Sequence, residues 1–332
     1  MNVLIIAEAG VNHDGRLDNA LKLVAVAAEA GADYVKFQTF VPEQVVTTRT
    51  RRAQYQIRAM GDGTQLEMIK KLALNEEAHR VLVDECHKQN IRFLSTPFDH
   101  QSVMFLDQLG LDTIKIPSGE ITNLPYLRLV GSLRKNVIMS TGMAELHEVD
   151  RAISILTGAG TELQRLVVLH CNTEYPTPIE DANLKAMVTM ARTFGVRVGY
   201  SDHTLGIEAS IAAVALGAEV IEKHFTLDRS LVGPDHKASI LPEELAQLVQ
   251  AIRRTEKALG SGIKKPSPSE MKNRDVIRRS IVAAVAIRKG ERFCEENLTV
   301  KRPANGLSPM LWDEVIGRLS DRYYEPDEEI VI

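Results

Sequence analysis

The chain has 332 residues, 44% hydrophobic and 25% charged, the balance of a globular protein with a sizeable core. A net charge of −4 argues against general nucleic-acid binding, and the longest apolar run, around Ile211–Ile221, is broken by Gly217 and Glu219 and is too short to span a bilayer. The chain is long for one core, so a large domain with a small companion is expected. The opening "MNVLIIAEAG" has no basic leader, which predicts no signal peptide. Cys86, Cys171 and Cys294 are odd in number and widely spaced; they point to a reducing, cytoplasmic setting and to no thiolate metal site.

In chain order, short apolar runs predict strands over Val3–Ala7, Tyr34–Phe37, Arg92–Ser95, Thr113–Ile116, Val137–Ser140, Leu166–His170, Val196–Gly199 and Glu219–Ile221. Amphipathic stretches such as Leu17–Glu29, Glu76–Gln89 and Glu148–Leu156 lie between them. Strands rich in Val and Ile that alternate with helices argue for a parallel sheet with crossover helices. Eight such units over about 260 residues are the length of a closed (β/α)8 TIM barrel. An open doubly wound sheet is the rival, but "AEAGVNHDG" after the first strand lacks the glycine fingerprint of a phosphate turn. The predicted barrel domain is therefore 1–260. Residues 261–279 hold two prolines and six Lys/Arg against two acids, and read as a linker or ordered arm. Residues 280–332 change composition toward short strands and turns, with "LWDEVIG" a short helix, and are expected to fold as a small second domain.

In a barrel of this kind the chemistry sits at the C-terminal ends of the strands. Read in order, those ends carry Glu8; Lys36 and Gln38; Thr96; Lys115, Ser118 and Glu120; Ser140 and Thr141; Asn172 and Tyr175; Ser201, Asp202 and His203; and Glu222 and His224. One such residue alone is an ordinary strand cap, but hydrogen-bonding or charged groups at all eight ends make a ring. Lys36 and Lys115, with Thr96, Ser118, Ser140, Thr141 and Ser201, suit a small polyanion, phosphate above all. The competing reading pairs the lysines with Glu8, Glu120 or Glu222. His203 and His224 end consecutive strands, and two neutral imidazoles suit a divalent transition ion with open positions.

The motifs "AEAGVNHDG", "VKFQTF", "STPFD", "KIPSGEI", "STGM", "HCNTEYPTP", "GYSDHT", "EKHFTLD", "GPDH" and "KRPANG" stand here in the order found in sialic acid synthases, and the chain resembles these bacterial nonulosonate synthases, legionaminate synthase among them, from end to end. The resemblance implies a (β/α)8 barrel followed by an antifreeze-like (SAF) domain, and a domain-swapped homodimer. It implies condensation of phosphoenolpyruvate with an N-acylated mannosamine-type sugar, with Mn2+, or Mg2+ or Co2+ in its place. It puts His203 and His224 on the metal. Around phosphoenolpyruvate it puts Lys36, Thr96, Lys115, Ser118, Ser201 and either Asn172 or Thr173, with Ser140 or Thr141 beside the phosphate. Gln38, Tyr175 and Asp235 fall on the sugar side, and Glu8, Glu120 and Glu222 near the reacting centre. Arg302 matches an arginine that reaches the sugar's acyl group from the partner subunit. The region Thr47–Gln65, which the resemblance puts against the sugar, matches loosely. The leading expectation is an N-acetylneuraminate synthase acting on N-acetylmannosamine. Its alternative is a legionaminate or pseudaminate synthase acting on a 2,4-diacetamido-trideoxy hexose. A metal-dependent lyase or isomerase on the same barrel, which would release no phosphate, and a non-catalytic sugar-binding protein are the readings from other classes.

Overall fold

The computed structural model describes residues 2–332, which divide into a unit ending at Gly260 and a second unit, Ser261–Ile332. In the first unit the eight expected strands are present: β1 (Leu4–Gly10), β2 (Tyr34–Thr39), β3 (Arg92–Pro97), β4 (Thr113–Ile116), β5 (Asn136–Ser140), β6 (Leu166–Cys171), β7 (Arg197–Asp202) and β8 (Val220–His224). All neighbours pair in parallel, in the order β3-β2-β1-β8-β7-β6-β5-β4. The two end strands, β3 and β4, lie side by side and bring the sheet to a nearly closed barrel. Eight helices follow the strands: α1 (Leu17–Glu29), α2 (Glu76–Lys88), α3 (His100–Gln108), α4 (Leu124–Ser132), α5 (Leu146–Ala159), α6 (Lys185–Phe194), α7 (Glu208–Ala215) and α8 (Pro242–Leu259).

Side chains of a strand alternate between the two faces of the sheet. The outward positions, among them Val35, Phe37, Ile114, Ile116, Met139, Val168 and Ile221, pack against the helices in the main core. The inward positions form a separate apolar floor of Ile6, Tyr34, Leu94, Ile138, Val167, Leu169 and Val220. Two residues further along β1, β2, β3, β5 and β8 the inward side chains turn polar, as Glu8, Lys36, Thr96, Ser140 and Glu222; on β6 the row runs through Leu169 to Cys171. Several strands therefore run past the ends that apolar runs suggest. β8 continues through Glu222, Lys223 and His224, because those residues still pair with β1 and β7 while their inward side chains line the mouth.

In the second unit, helix α9 (Pro268–Ile277) occupies the stretch expected as a linker. Ser267 caps it in a capping box with Glu270, and Pro268 stands in its first turn, where a proline starts a helix rather than breaking one. An antiparallel pair, β9 (Ser280–Ala283) with β10 (Leu298–Lys301), carries a small core with Ile287, Phe293, Val315, Tyr324 and Ile330. The short helix expected in "LWDEVIG" is Trp312–Val315. Among the described residues no helix is long and apolar enough to cross a membrane.

Candidate active site

The polar ends of the inward rows open into a cavity of about 540 Å3, a size that fits small-molecule substrates. Glu8, Lys36, Gln38, Thr96, Lys115, Ser118, Ser140, Thr173, Tyr175, Ser201, His203, Glu222, His224 and Asp235 all line it. At its base four charged side chains, each at most 3% exposed, form one cluster. Lys36 Nζ lies 3.1 Å from Glu8 Oε2 and 3.3 Å from Glu222 Oε2, and donates to Thr96 Oγ1 at 2.8 Å. Lys115 Nζ donates to Ser140 Oγ at 2.7 Å and lies 3.6 Å from Glu222 Oε1, which also accepts from Ser201 Oγ at 2.9 Å. The lysines thus both pair with carboxylates and face the cavity.

The two glutamates are not equivalent. Burial raises the Glu8 carboxyl to about 8, against Lys36. Burial would raise Glu222 as well, but Lys115, Lys36 and Ser201 together hold it down at about 2. Burial thus favours the neutral form of Glu8, while Glu222 stays ionised between the lysines. Two lysine side chains converging here, with serine and threonine hydroxyls around them, have the chemistry of an anion site. Beside it Gly142 N–H donates to Ser118 Oγ at 2.9 Å. A Cβ at Gly142 would stand 2.6 Å from Thr173 Cγ2, so only glycine lets these segments approach.

His203 and His224 face each other across the mouth with ring centroids 5.4 Å apart. His203 Nδ1 donates to the Asn172 carbonyl at 2.5 Å, which leaves the lone pair on Nε2, 3.4 Å from Ser201 Oγ. His224 Nδ1 is buried with no hydrogen-bond partner and lies 3.9 Å from Asp235 Oδ2. Burial lowers His203 to about 4 and His224 well below its ordinary range, so both rings are neutral. Gly10 admits His224 to this position: its φ is +53°, and a Cβ there would come within 3.2 Å of His224 Cε1. An unpartnered imidazole nitrogen beside a second neutral imidazole fits a divalent ion. No group of three or more His, Cys, Asp or Glu able to hold a metal occurs among the described residues. Tyr175 covers the pair, its ring 4.2 Å from His203 and edge-on at 5.5 Å to His224. Asp235, raised to about 7 by burial, sits on a loop that Asn12 holds through Ser239 Oγ at 2.9 Å.

Four of the expected site residues are not in the cavity lining. Glu120 ends a 3-10 turn, Ser118–Glu120, and its carboxylate accepts from Asn123 Nδ2 at 2.5 Å. Thr141 follows an inward residue, so it points outward and donates to the Leu169 carbonyl at 2.9 Å. Asn172 likewise follows inward Cys171 and accepts from Glu174 N–H at 2.7 Å through its side chain. Thr173, not Asn172, faces the cavity, and Ser140, not Thr141. Arg302 belongs to the second unit and is exposed.

The cavity also has a wall that the strand ends do not reveal, built from Phe40, Val45, Val46, Tyr55, Gln56, Met68, Leu72 and Phe98. Most of it comes from the excursion between β2 and α2. Arg52 gathers this segment by donating to the carbonyls of Met60, Gly61 and Thr64, and short helices follow at Gln54–Met60 and Gln65–Leu72. Tyr55 packs on Tyr175 with centroids 5.1 Å apart, and Arg58 pairs with Glu174.

The sequence matches the NeuB family over residues 23–264 and the SAF domain over residues 278–330. It is 53% identical over 328 residues to N,N'-diacetyllegionaminic acid synthase of Campylobacter jejuni, which covers 98% of each chain. It is 49% identical to the Legionella pneumophila protein of the same name, over 96% of this chain and 91% of that one. Among solved structures, N-acetylneuraminic acid synthetase from Leptospira borgpetersenii, in complex with citrate, superposes with a TM-score of 0.72 at 36% identity, over 82% of this chain and 90% of that one.

Proposed function

The chain belongs to the NeuB family of nonulosonate synthases, and from that premise we propose that it condenses phosphoenolpyruvate with a 2,4-diacetamido-trideoxy hexose to give N,N'-diacetyllegionaminic acid and phosphate. The observation that carries the choice of sugar is the 53% identity, end to end, to a legionaminic acid synthase, against 36% to an N-acetylneuraminic acid synthetase. This reverses the order of preference that the motifs alone suggest, where N-acetylmannosamine comes first. The cavity wall supports it. Phe40, Val45, Val46, Met68 and Leu72 offer apolar surface to acetamido methyls and a deoxy carbon.

Phosphoenolpyruvate is an anion small enough for the base of the cavity. Lys115 with Ser140, and Lys36 with Thr96, would hold its phosphate and carboxylate, with Ser118, Ser201 and Thr173 completing the cradle. Gln38, Tyr175 and Asp235 would hold the open-chain sugar above it. His203 and His224 would hold a divalent ion, Mn2+, Mg2+ or Co2+, which when bound supplies Lewis acidity toward a carbonyl oxygen. C3 of phosphoenolpyruvate attacks the sugar aldehyde and positive charge develops at C2. Glu222, ionised between two lysines, is the carboxylate placed to stabilise that charge. Water adds at C2, and cleavage of the C–O bond releases phosphate and leaves the 2-keto acid. Glu8, whose pKa burial raises, would give its proton to the alkoxide formed from the sugar aldehyde and, then ionised beside Lys36, take one from that water. Fixing both substrates against one wall supplies part of the rate by orientation.

The same reading makes the working enzyme a homodimer in which the partner's Arg302 reaches the sugar's acyl oxygen; the family resemblance and the exposure of Arg302 support it. A cytoplasmic setting fits the three free cysteines. The test of the function is phosphate release from phosphoenolpyruvate with each sugar, with and without Mn2+. The diacetamido sugar is expected to give the higher kcat/KM; a preference for N-acetylmannosamine would overturn the assignment.

A further inference from the structure

Two charged residues at the same strand ends stand outside the cavity. Asp202 and Lys223 are in register on β7 and β8. Their neighbours Ser201 and Glu222 point inward, so this pair points outward, toward the α7 layer. Both are 1% exposed. Lys223 Nζ lies 2.9 Å from Asp202 Oδ2 and donates to the Thr204 carbonyl at 2.7 Å. Asp202 Oδ1 accepts from Thr204 N–H at 2.9 Å and from Thr204 Oγ1 at 2.7 Å, and Oδ2 accepts from Ser210 Oγ of α7 at 2.6 Å.

The outward positions just before them are apolar, Tyr200 and Ile221, and belong to the main core. A buried ion pair in such a layer is a poor route to stability, because desolvating two charges offsets most of their attraction. Its geometry serves another end. Thr204 follows His203, and the pair grips it at N–H, hydroxyl and carbonyl. From the other side Thr177 N–H donates to the His203 carbonyl at 2.8 Å. Lys223 directly precedes His224. One side-chain network thus ties the backbone leaving His203 to the backbone entering His224.

We propose that Asp202 and Lys223 are positioning residues that fix the separation of the His203 and His224 imidazoles and so set the affinity of the site for its divalent ion. This rests on the reading of those two histidines as the metal pair. The experiment measures Mn2+ binding to the full-length protein, from the free-ion EPR signal, without either substrate. The chains compared are wild type, His203→Ala, Asp202→Asn, Lys223→Met and the double variant Asp202→Asn/Lys223→Met. The double variant leaves no unpaired buried charge, so it separates loosening of the clamp from unfolding. Wild type is expected to bind Mn2+ and His203→Ala to lose it. The single and double clamp variants should each weaken binding about 10–100-fold. At saturating Mn2+ their kcat should recover, with the KM for phosphoenolpyruvate within about twofold of wild type. Wild-type Mn2+ affinity in a folded double variant, or a double variant that does not fold, makes the pair merely structural and overturns the inference. A wild type that binds no Mn2+, or a His203→Ala variant that binds it unchanged, removes the metal reading and the inference with it.

Discussion

Replacing Lys115 with methionine removes a charge from the anion site while keeping most of the stem. The apoprotein should tolerate it. Lys115 touches Ser140 at 2.7 Å and Glu222 at 3.6 Å, and on its loss Glu222 keeps Lys36 at 3.3 Å and Ser201 at 2.9 Å. Burial already lowers the Lys115 ammonium against the pull of Glu222, so the folded chain loses little by shedding it. Lys36→Met is the opposite case. That ammonium bridges Glu8 and Glu222, which hold its pKa up against burial, and its loss leaves two carboxyl groups facing one another. With substrate bound the Lys115 contact becomes charge-assisted, a contribution of about 1.5–3 kcal/mol. At tenfold per ~1.4 kcal/mol this is about a ten- to hundredfold rise in the KM for phosphoenolpyruvate. The assay is phosphate release at varied phosphoenolpyruvate with saturating sugar and Mn2+, then the reverse, beside a melting curve. The sugar KM should stay within about twofold. A shift confined to the sugar, or no shift at all, would show that Lys115 does not hold the phosphoenolpyruvate anion.

The histidine pair predicts that His203→Ala and His224→Ala each abolish turnover in a folded chain, and that chelator silences wild type until Mn2+ is returned; full activity in either variant would sink the metal assignment. The metal-free protein should also lose stability as pH rises from about 6.5 to 8. Glu8 is raised from 4.5 to about 8 and Asp235 from 3.8 to about 7, so each contributes stability that is complete below its ordinary pKa and gone above its folded one. The two histidines, lowered from 6.5, and Glu222, lowered from 4.5, change protonation below that window. Melting temperatures in chelator across this range should therefore fall for wild type and fall less for Glu8→Gln, and equal slopes would refute the proton on Glu8. For the dimer, Arg302→Ala and His203→Ala chains, each nearly inactive alone, should regain activity as a mixed dimer, since one barrel then has intact His203 and the partner's Arg302. No recovery in verified heterodimers would exclude a swapped arginine.

The barrel was legible because its outward rows are mostly apolar and helices fill the intervals between them. The strand ends were less so. An apolar run stops where inward side chains become polar, although the backbone keeps pairing, and β8 is the example: Ile221 ends the run, His224 the strand. The alternation of the strands decides what the motifs left open. Once Ser140 points inward Thr141 cannot, and once Cys171 does Asn172 cannot while Thr173 can; the cavity lining obeys that parity. Glu120 escapes it because Ser118–Glu120 is a tight turn and not strand, so its direction depends on Asn123, which no periodicity reports. Tyr55 and Gln56 lie in the Thr47–Gln65 region that the resemblance puts against the sugar, but nothing in the sequence singles them out there. They sit in a loop excursion held by Arg52 and by packing on Tyr175, contacts set by tertiary structure and by no repeating pattern. Parity also accounts for the charges in "YSDHT" and "IEKHF". In each, the serine or glutamate and the histidine face the cavity, and the residue between them faces the helices. A charge at that middle position has no substrate to meet. Asp202 and Lys223 meet each other, with Thr204 and Ser210 completing their hydrogen bonds, and in doing so they join the two strands that carry the histidines.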